Sequence, residues 1–296
     1  MLTTKKKSPY TIACLVILAV LAFLFIFPVY WIITGSFKTA QEINSAAPTF
    51  FPQVFTLDNY QRLFAEQMPL FELKVAGYVI TGPMIATSLK WLLNTIIMAV
   101  ASMILTCLTA AMAGYVLAKK QFYGRALVFS LMVCAMALPK QVILIPLVQQ
   151  MAAMGIHDTL LAVILPIVGW PFGVFLMKQF SENIPGEMLE AARIDGAGEA
   201  RTFVNIVFPM IKPGVGALAI FTFITAWNDY FLQLIMLNDM DVLTISLGIA
   251  KLQSELSTDY GLIMAGAALG SVPIILIFLM FQKFFTRGIT MGAVKG

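Results

Sequence analysis

Long apolar runs, each close to the length needed to cross a bilayer, dominate the pattern along the chain. A helix rises about 1.5 Å per residue, so roughly 20 apolar residues span the hydrocarbon core. Six such runs occur, at about residues 11–35, 91–117, 126–148, 159–178, 213–237 and 261–282. They predict an all-α integral membrane protein with six transmembrane helices.

The third run is irregular because Pro139-Lys140-Gln141 interrupts it. Proline removes a backbone donor and breaks a helix, and broken backbone at membrane depth needs protein or a water-filled cavity to satisfy it. We therefore expect a broken helix that borders a path through the membrane.

Composition agrees with a lipid-embedded chain, since 60% of its residues are hydrophobic and 11% are charged. When the spans alternate sides, about two-thirds of the 19 Lys and Arg residues share a side with the N-terminus, so both termini are predicted to be cytoplasmic. The predicted layout has a cytoplasmic N-terminus (1–10), an extracytoplasmic segment (37–90), a membrane core (91–282) and a cytoplasmic tail (283–296). The aromatic-rich segment 37–90 fits a folded lobe or a spacer equally well.

The cytoplasmic segment 179–212 between spans four and five carries the most information. Good helix formers predict a short helix over Glu187–Ile194, which Asp195-Gly196 would end. A second helical stretch is predicted from Ala200 to Val207, before Pro209. Two short helices joined at a glycine would project from the membrane as a knob.

The segment contains a run of characteristic residues, which are Glu190-Ala191-Ala192, Asp195-Gly196-Ala197, Phe203, Ile206, Pro209 and Lys212-Pro213. This run resembles the signature loop of the permeases of binding-protein-dependent ABC importers. Two further stretches, Ala226-Trp227-Asn228-Asp229 and the tail Gly292-Ala293-Val294-Lys295-Gly296, resemble the carbohydrate branch. The tail is similar to that of the smaller maltose permease subunits, and the resemblance as a whole covers roughly residues 85–296.

The resemblance implies a subunit that forms half of a sugar pathway in the bacterial cytoplasmic (inner) membrane. Its implied partners are a second, non-identical permease, two ATPase subunits and an extracytoplasmic sugar-binding protein. ATP and Mg²⁺ would be held by the ATPase, and this chain would bind no cofactor. The residues implied to couple to the ATPase are Glu190, Ala191, Ala192, Asp195, Gly196, Ala197 and Pro209. The tail residues implied to reach toward the ATPase dimer interface are Gly292, Val294, Lys295 and Gly296.

The fifth run contains a charged residue, Asp229, at membrane depth. A charge there costs at least about 2.5 kcal/mol at mid-membrane unless it faces a cavity or a partner. Helical spacing predicts one polar stripe that either lines the pathway or holds two permeases together. The stripe and its neighbours are Thr222, Thr225, Trp227, Asn228, Asp229 and Gln233, with Asn94, Gln141 and Trp170 as further candidates.

Other functional classes find little support in the sequence. No phosphate-binding G-x-x-x-x-G-K-[ST] motif is present, and the single histidine, His157, has no nucleophile near it. The three cysteines lie in apolar runs and suggest no metal site, and a net charge of +4 without a basic cluster does not favour nucleic acid. We therefore predict a non-enzymatic transport subunit. The alternatives are an ion-coupled secondary sugar transporter, which would need charged residues in an internal repeat, and a sensor.

Overall fold

A computed structural model describes residues 9–75, 78–253 and 259–293. The described chain is predominantly helical, which confirms the predicted fold class. The helices are α1 Pro9–Ser36, α2 Ala40–Ile43, α3 Asp58–Ala65, α4 Thr87–Lys119, α5 Arg125–Met136, α6 Lys140–Ala153, α7 Leu160–Val168, α8 Phe172–Glu182, α9 Gly186–Ile194, α10 Glu199–Thr202, α11 Phe208–Asn228, α12 Tyr230–Met236, α13 Ile245–Leu252 and α14 Tyr260–Ala293.

Five helical segments among the described residues are long and apolar enough to cross a membrane, and the bent pair α5–α6 makes six if it counts as one span. The two helices of that pair meet at 107°. The bend confirms the break predicted at Pro139, which has no N–H to continue the ladder of hydrogen bonds. The five segments are Pro9–Ser36, Thr87–Lys119, Leu160–Glu182, Glu199–Asn228 and Tyr260–Met280.

The fifth span differs from its predicted range, 213–237, at both ends. It breaks at Asp229, whose φ of −77° and ψ of 67° are not helical and whose carboxylate accepts a hydrogen bond from the Leu232 N–H of α12. At the other end, Pro209 does not stop the helix. A wider π-helical turn at Phe203–Val207 precedes the proline, and widening the turn makes room for its ring.

Contacts within the chain define two units. The first, which we call the lobe unit, consists of the N-terminal part of the chain up to Ser88 together with Ile249–Val272. The second, which we call the core unit, consists of Leu89–Gly248 and the chain from Pro273 onward. The lobe unit contains strands that the sequence analysis did not predict. They form two antiparallel ribbons, in which β1 Gln67–Pro69 pairs with β4 Met84–Ala86 and β2 Glu72–Val75 pairs with β3 Tyr78–Thr81. Segment 37–90 is thus folded.

Polar contacts of α3 hold the lobe unit together. The Asn59 amide donates to the carbonyls of Ser36 and Lys38, at 2.9 Å each. Arg62 of α3 pairs with Asp259 at the start of α14. Burial alone would raise the pKa of Asp259, but hydrogen bonds from the Leu262 N–H and from Arg62 outweigh it and hold that pKa below its usual range.

Close helix contacts organise the core unit. A Cβ added at Gly114 of α4 would lie 2.7 Å from the backbone of Lys178 in α8, and one added at Gly214 of α11 would lie 2.5 Å from the Phe180 ring. Such approaches need glycine, as is usual where helices pack in membranes. Helix α8 is therefore held tightly between α4 and α11, and the three helices share one buried hydrophobic cluster.

Candidate functional site

A short helix, α9, is present where the sequence predicted one, with Pro185 preceding its first turn. It ends in a Schellman motif, in which the Gly196 N–H bonds to Arg193 O at 3.0 Å and the Ala197 N–H bonds to Ala192 O at 2.9 Å. Gly196 has a φ of +74°, which only glycine adopts without steric cost. The glycine thus fixes the direction in which the chain leaves the helix.

The two faces of α9 have different surroundings. Leu189 and Ala192 are buried, with 8% and 5% of their surface exposed, and Leu189 belongs to the hydrophobic cluster of the core unit. Met188, Ala191 and Ile194 follow at i, i+3 and i+6 along an exposed side of the helix, and Ile194 is 87% exposed. This exposed apolar face next to charged residues is typical of a surface that binds another protein.

The other residues predicted to act with α9 lie at its surface or just after it. Glu190 and Asp195 are exposed, and the Asp195 backbone caps the helix end. Pro209 is exposed near the start of α11. Ala192 faces inward, so it seats the helix and is not on the exposed face.

Basic residues at the end of α4 hold the base of this loop. The Lys119 ammonium donates to the carbonyls of Glu182 and Ile184 at 3.0 and 2.6 Å, and Lys120 pairs with Glu199 at 2.5 Å. Lysine at these carbonyls satisfies acceptors that the end of a helix leaves open. The loop that carries α9 is therefore fastened to α4 on both of its sides.

The predicted tail residues fall at or beyond the end of the described chain. Gly292 lies in the last turn of α14, which ends at Ala293. Val294, Lys295 and Gly296 lie outside the described residues.

A cavity of about 680 Å³ opens in the core unit, between α4, α5, α6, α7, α8, α11 and α12. Its wall is mostly apolar, and its charged members among the described residues are Lys140 and Asp229. The uncharged polar residues in its lining are Thr106, Gln141, Gln150, Thr222 and Thr225. A mostly apolar cavity with a few polar groups is typical of small-molecule sites.

Three side chains meet at one edge of the cavity. The Lys140 ammonium lies 3.4 Å from a carboxylate oxygen of Asp229 and 5.0 Å from the ring centroid of Trp170. Of the predicted pathway residues, Asp229, Thr225 and Gln141 are brought together here, with Trp170. Lys140 was not among the predicted pathway residues, although its place directly after the helix-breaking Pro139 was a usable signal.

Four predicted pathway residues do not line this cavity. Gln233 is fully buried, donates to Ala226 O at 3.0 Å and accepts from the Thr244 hydroxyl at 2.6 Å. Asn94 donates to two backbone carbonyls, and Trp227 packs on Phe223. The stripe was predicted for one continuous helix, but the helix is interrupted at Asp229, so Gln233 lies in a separate helix, α12.

The fourth of these residues, Asn228, is exposed. Its amide bonds back to Ile224 O at 2.9 Å, within its own helix. Within the described ranges, no three His, Cys, Asp or Glu side chains lie close enough to hold a metal ion.

The described residues combine five or six candidate spans, a cavity in the core unit and a loop whose short helix has an exposed apolar side. These are features that a membrane transport protein would have. Residues 110–291 match the family described as binding-protein-dependent transport system inner membrane component. Because the match covers more than half of the chain, the protein belongs to that family. The resemblance noted from the signature loop is thereby confirmed.

Full-length relatives extend this result. The chain is 32% identical to the arabinooligosaccharides transport system permease protein AraQ of Halalkalibacterium halodurans, over 99% of both chains. It is 31% identical to the diacetylchitobiose uptake system permease protein NgcG of Streptomyces coelicolor, over 91% of this chain and 84% of the relative. A solved bacterial ABC transporter that imports the acidic polysaccharide alginate shares the fold, with a TM-score of 0.78, 19% identity and coverage of 95% of this chain and 100% of the other.

Proposed function

We propose that this chain is the permease subunit of an ATP-driven carbohydrate importer and forms half of its pathway with a second, non-identical permease. The supporting observation is its similarity, over almost its whole length, to permeases named for the transport of arabinooligosaccharides and lactose. Membership in a binding-protein-dependent family favours this function over an ion-coupled secondary carrier, since that carrier would need no binding protein.

Helix α9 is the proposed docking element for the ATPase. Its exposed face, formed by Met188, Ala191 and Ile194, would enter a groove on that partner, and the small side chain of Ala191 allows a close approach. Glu190 and Asp195 would meet basic groups beside the groove. ATP and Mg²⁺ would bind in two ATPase subunits, with Gly292, Val294, Lys295 and Gly296 directed toward them.

The sugar would pass through the cavity lined by Gln141, Thr225 and Asp229. Gln233 and Asn94 would fix the segments around it through their buried hydrogen bonds. The exposed Asn228, with Trp227 beside it in the chain, would lie toward the second permease. An extracytoplasmic binding protein would deliver the sugar, and closure of the ATPase dimer would switch the cavity between its two openings.

We also propose that both termini are on the cytoplasmic side of the bacterial inner membrane. The distribution of Lys and Arg supports this orientation. The contacts of Lys119 and Lys120 with the α9 loop agree with it, because they put two predicted inner residues beside a predicted inner segment.

The test is affinity purification of the chain from its native membrane in mild detergent, followed by an ATPase assay. We expect a second permease and an ATPase to co-purify, with hydrolysis stimulated by sugar-loaded binding protein. Recovery of the chain alone, transporting sugar into liposomes without ATP, would refute the proposal.

A matched pair of variants tests the role of α9. Ala191→Phe should keep membrane insertion and abolish ATPase recovery, because the ring would fill the space that docking needs. Ala153→Phe makes the same change at an exposed position of α6. It should co-purify normally, and equal behaviour of the two variants would remove α9 from the interface.

A further inference from the structure

We propose that Lys140, Trp170 and Asp229 form a subsite for one ring of an uncharged sugar. We call these three residues the break cluster. The inference rests on the proposed carbohydrate transport. It adds where in the cavity one sugar ring binds and that uncharged sugars are preferred over anionic ones.

Each member of the break cluster lies where a helix is interrupted. Lys140 begins α6 directly after the bend at Pro139, Trp170 lies between α7 and α8, and Asp229 lies between α11 and α12. Interrupted helices leave backbone groups without partners, which is tolerated in a membrane only where they face protein or a polar cavity. Transporters use such interruptions to build substrate sites. The three interruptions converge on one edge of the cavity.

The charges of the break cluster balance. Lys140 and Asp229 are the charged groups that line the cavity among the described residues, and their side chains are 42% and 17% exposed. Their separation of 3.4 Å is long for a hydrogen bond, so both groups retain capacity for a further partner. A sugar hydroxyl can accept from the ammonium and donate to the carboxylate.

An anionic sugar fits this arrangement poorly. Its carboxylate would bind Lys140 and would leave Asp229 facing a like charge in a mostly apolar cavity, which is costly. A neutral ring leaves neither charge unpaired. The net charge of the break cluster thus favours uncharged glycosyl units.

Trp170 supplies the remaining contact. It is partly exposed in the cavity lining, and its ring carries a weakly negative face. The C–H face of a sugar ring is apolar and slightly positive, so it can stack on the indole. The Lys140 ammonium lies over this ring, and a sugar ring stacked on the indole would take its place.

The test uses the complete importer in nanodiscs and measures equilibrium binding of labelled sugars without the binding protein. The neutral probes are arabinotriose, lactose and diacetylchitobiose, and the anionic probe is trigalacturonate. Stimulation of ATPase activity by sugar-loaded binding protein is measured separately. That second assay reports on the proposed transport function and does not depend on the subsite.

We expect wild type to bind at least one neutral probe more tightly than trigalacturonate. Loss of the aromatic face under a stacked nucleic-acid base costs about 5- to 150-fold in affinity, and a sugar ring falls at the low end of such a range. Trp170→Leu should therefore weaken neutral binding about tenfold and Trp170→Phe by less than about threefold. Trp31→Leu makes the same change in the lobe unit and should bind like wild type.

Two charge variants test the preference for neutral sugar. Asp229→Asn leaves Lys140 without its counter-charge and should shift binding toward trigalacturonate. Lys140→Gln combined with Asp229→Asn keeps hydrogen-bonding groups without charge and should retain neutral binding.

Two results would overturn the subsite while leaving the importer intact. They are unchanged neutral binding in Trp170→Leu, and a preference of wild type for trigalacturonate, each with normal stimulated ATPase activity. Absence of stimulated ATPase activity in wild type would instead refute the proposed function.

Discussion

Replacing Gly196 with alanine isolates the effect of one backbone angle on the proposed docking helix. A Cβ at this position would meet no atom within 4 Å, so steric crowding plays no part. The φ of +74° is the only obstacle. A left-handed conformation costs a non-glycine residue about 1–2 kcal/mol.

That cost falls on the turn that ends α9. A tenfold change in an equilibrium constant corresponds to about 1.4 kcal/mol. Docking should therefore weaken by up to about 5- to 30-fold, the full loss occurring when the undocked loop relieves the strain by leaving the native turn. Gly196→Asn should fall between glycine and alanine, because asparagine tolerates the left-handed region better. Gly196→Pro should abolish docking, since the proline ring fixes φ near −65°.

The assay is the affinity of a labelled ATPase subunit for the permease pair in nanodiscs, together with ATPase activity stimulated by sugar-loaded binding protein. The matched control is Gly186→Ala, in the first turn of the same helix. Its Cβ also meets nothing within 4 Å, but its φ is not positive. Alanine there should stabilise the helix by up to about 1 kcal/mol.

If backbone strain determines docking, the affinity for the ATPase subunit should decrease from glycine to asparagine to alanine at position 196. Equal affinities for Gly196→Ala and Gly186→Ala would refute the reasoning. Equal losses in both variants would show that an added methyl group disturbs docking whatever the backbone angle.

Three further predictions address the rest of the chain. Gly248→Ala places a Cβ 2.0 Å from the buried Trp91 ring, so it should cost about 1–3 kcal/mol and lower the Tm of the purified importer; an unchanged Tm would contradict this packing. The pKa of Asp259 is lower in the folded state than in the unfolded state, where it is about 4. The pair with Arg62 therefore stabilises the folded state above the unfolded-state pKa, and this stabilisation is lost as pH falls through the folded-state pKa. Asp259→Asn should therefore flatten the fall in hydrogen-exchange protection of the lobe unit, corrected for the intrinsic exchange rate, as pH drops from about 5 to below the folded-state pKa. Tyr123→Cys, at a fully exposed loop position in a cysteine-free background, should react with an impermeant maleimide from the cytoplasmic side only.

Features with a strong local signal could be predicted from the sequence. The bend at Pro139 follows from the missing proline N–H, and the end of α9 follows from Asp195-Gly196. Both depend on residues adjacent in the chain, so one sequence suffices to find them.

Features that depend on distant partners could not be predicted in the same way. The predicted stripe through Gln233 required a continuous helix. The helix instead breaks at Asp229, whose carboxylate caps α12 and pairs with Lys140, 89 positions earlier in the chain. Gln233 and Asn94 turn inward because buried acceptors from other segments complete their hydrogen bonds. Polarity alone does not show whether a side chain meets solvent, substrate or backbone.

Helix α8 connects the two proposed sites directly. It starts two residues after Trp170, and its last residue, Glu182, accepts from Lys119 at the base of the α9 loop. Its 11 residues span about 16 Å at 1.5 Å per residue. Gly114 and Gly214 let α4 and α11 pack against it with no room for an added methyl group, and such close packing favours movement of α8 together with its neighbours. We therefore expect a displacement of α9 by an ATPase to reach Trp170 through α8, so that the subsite and the docking helix respond together.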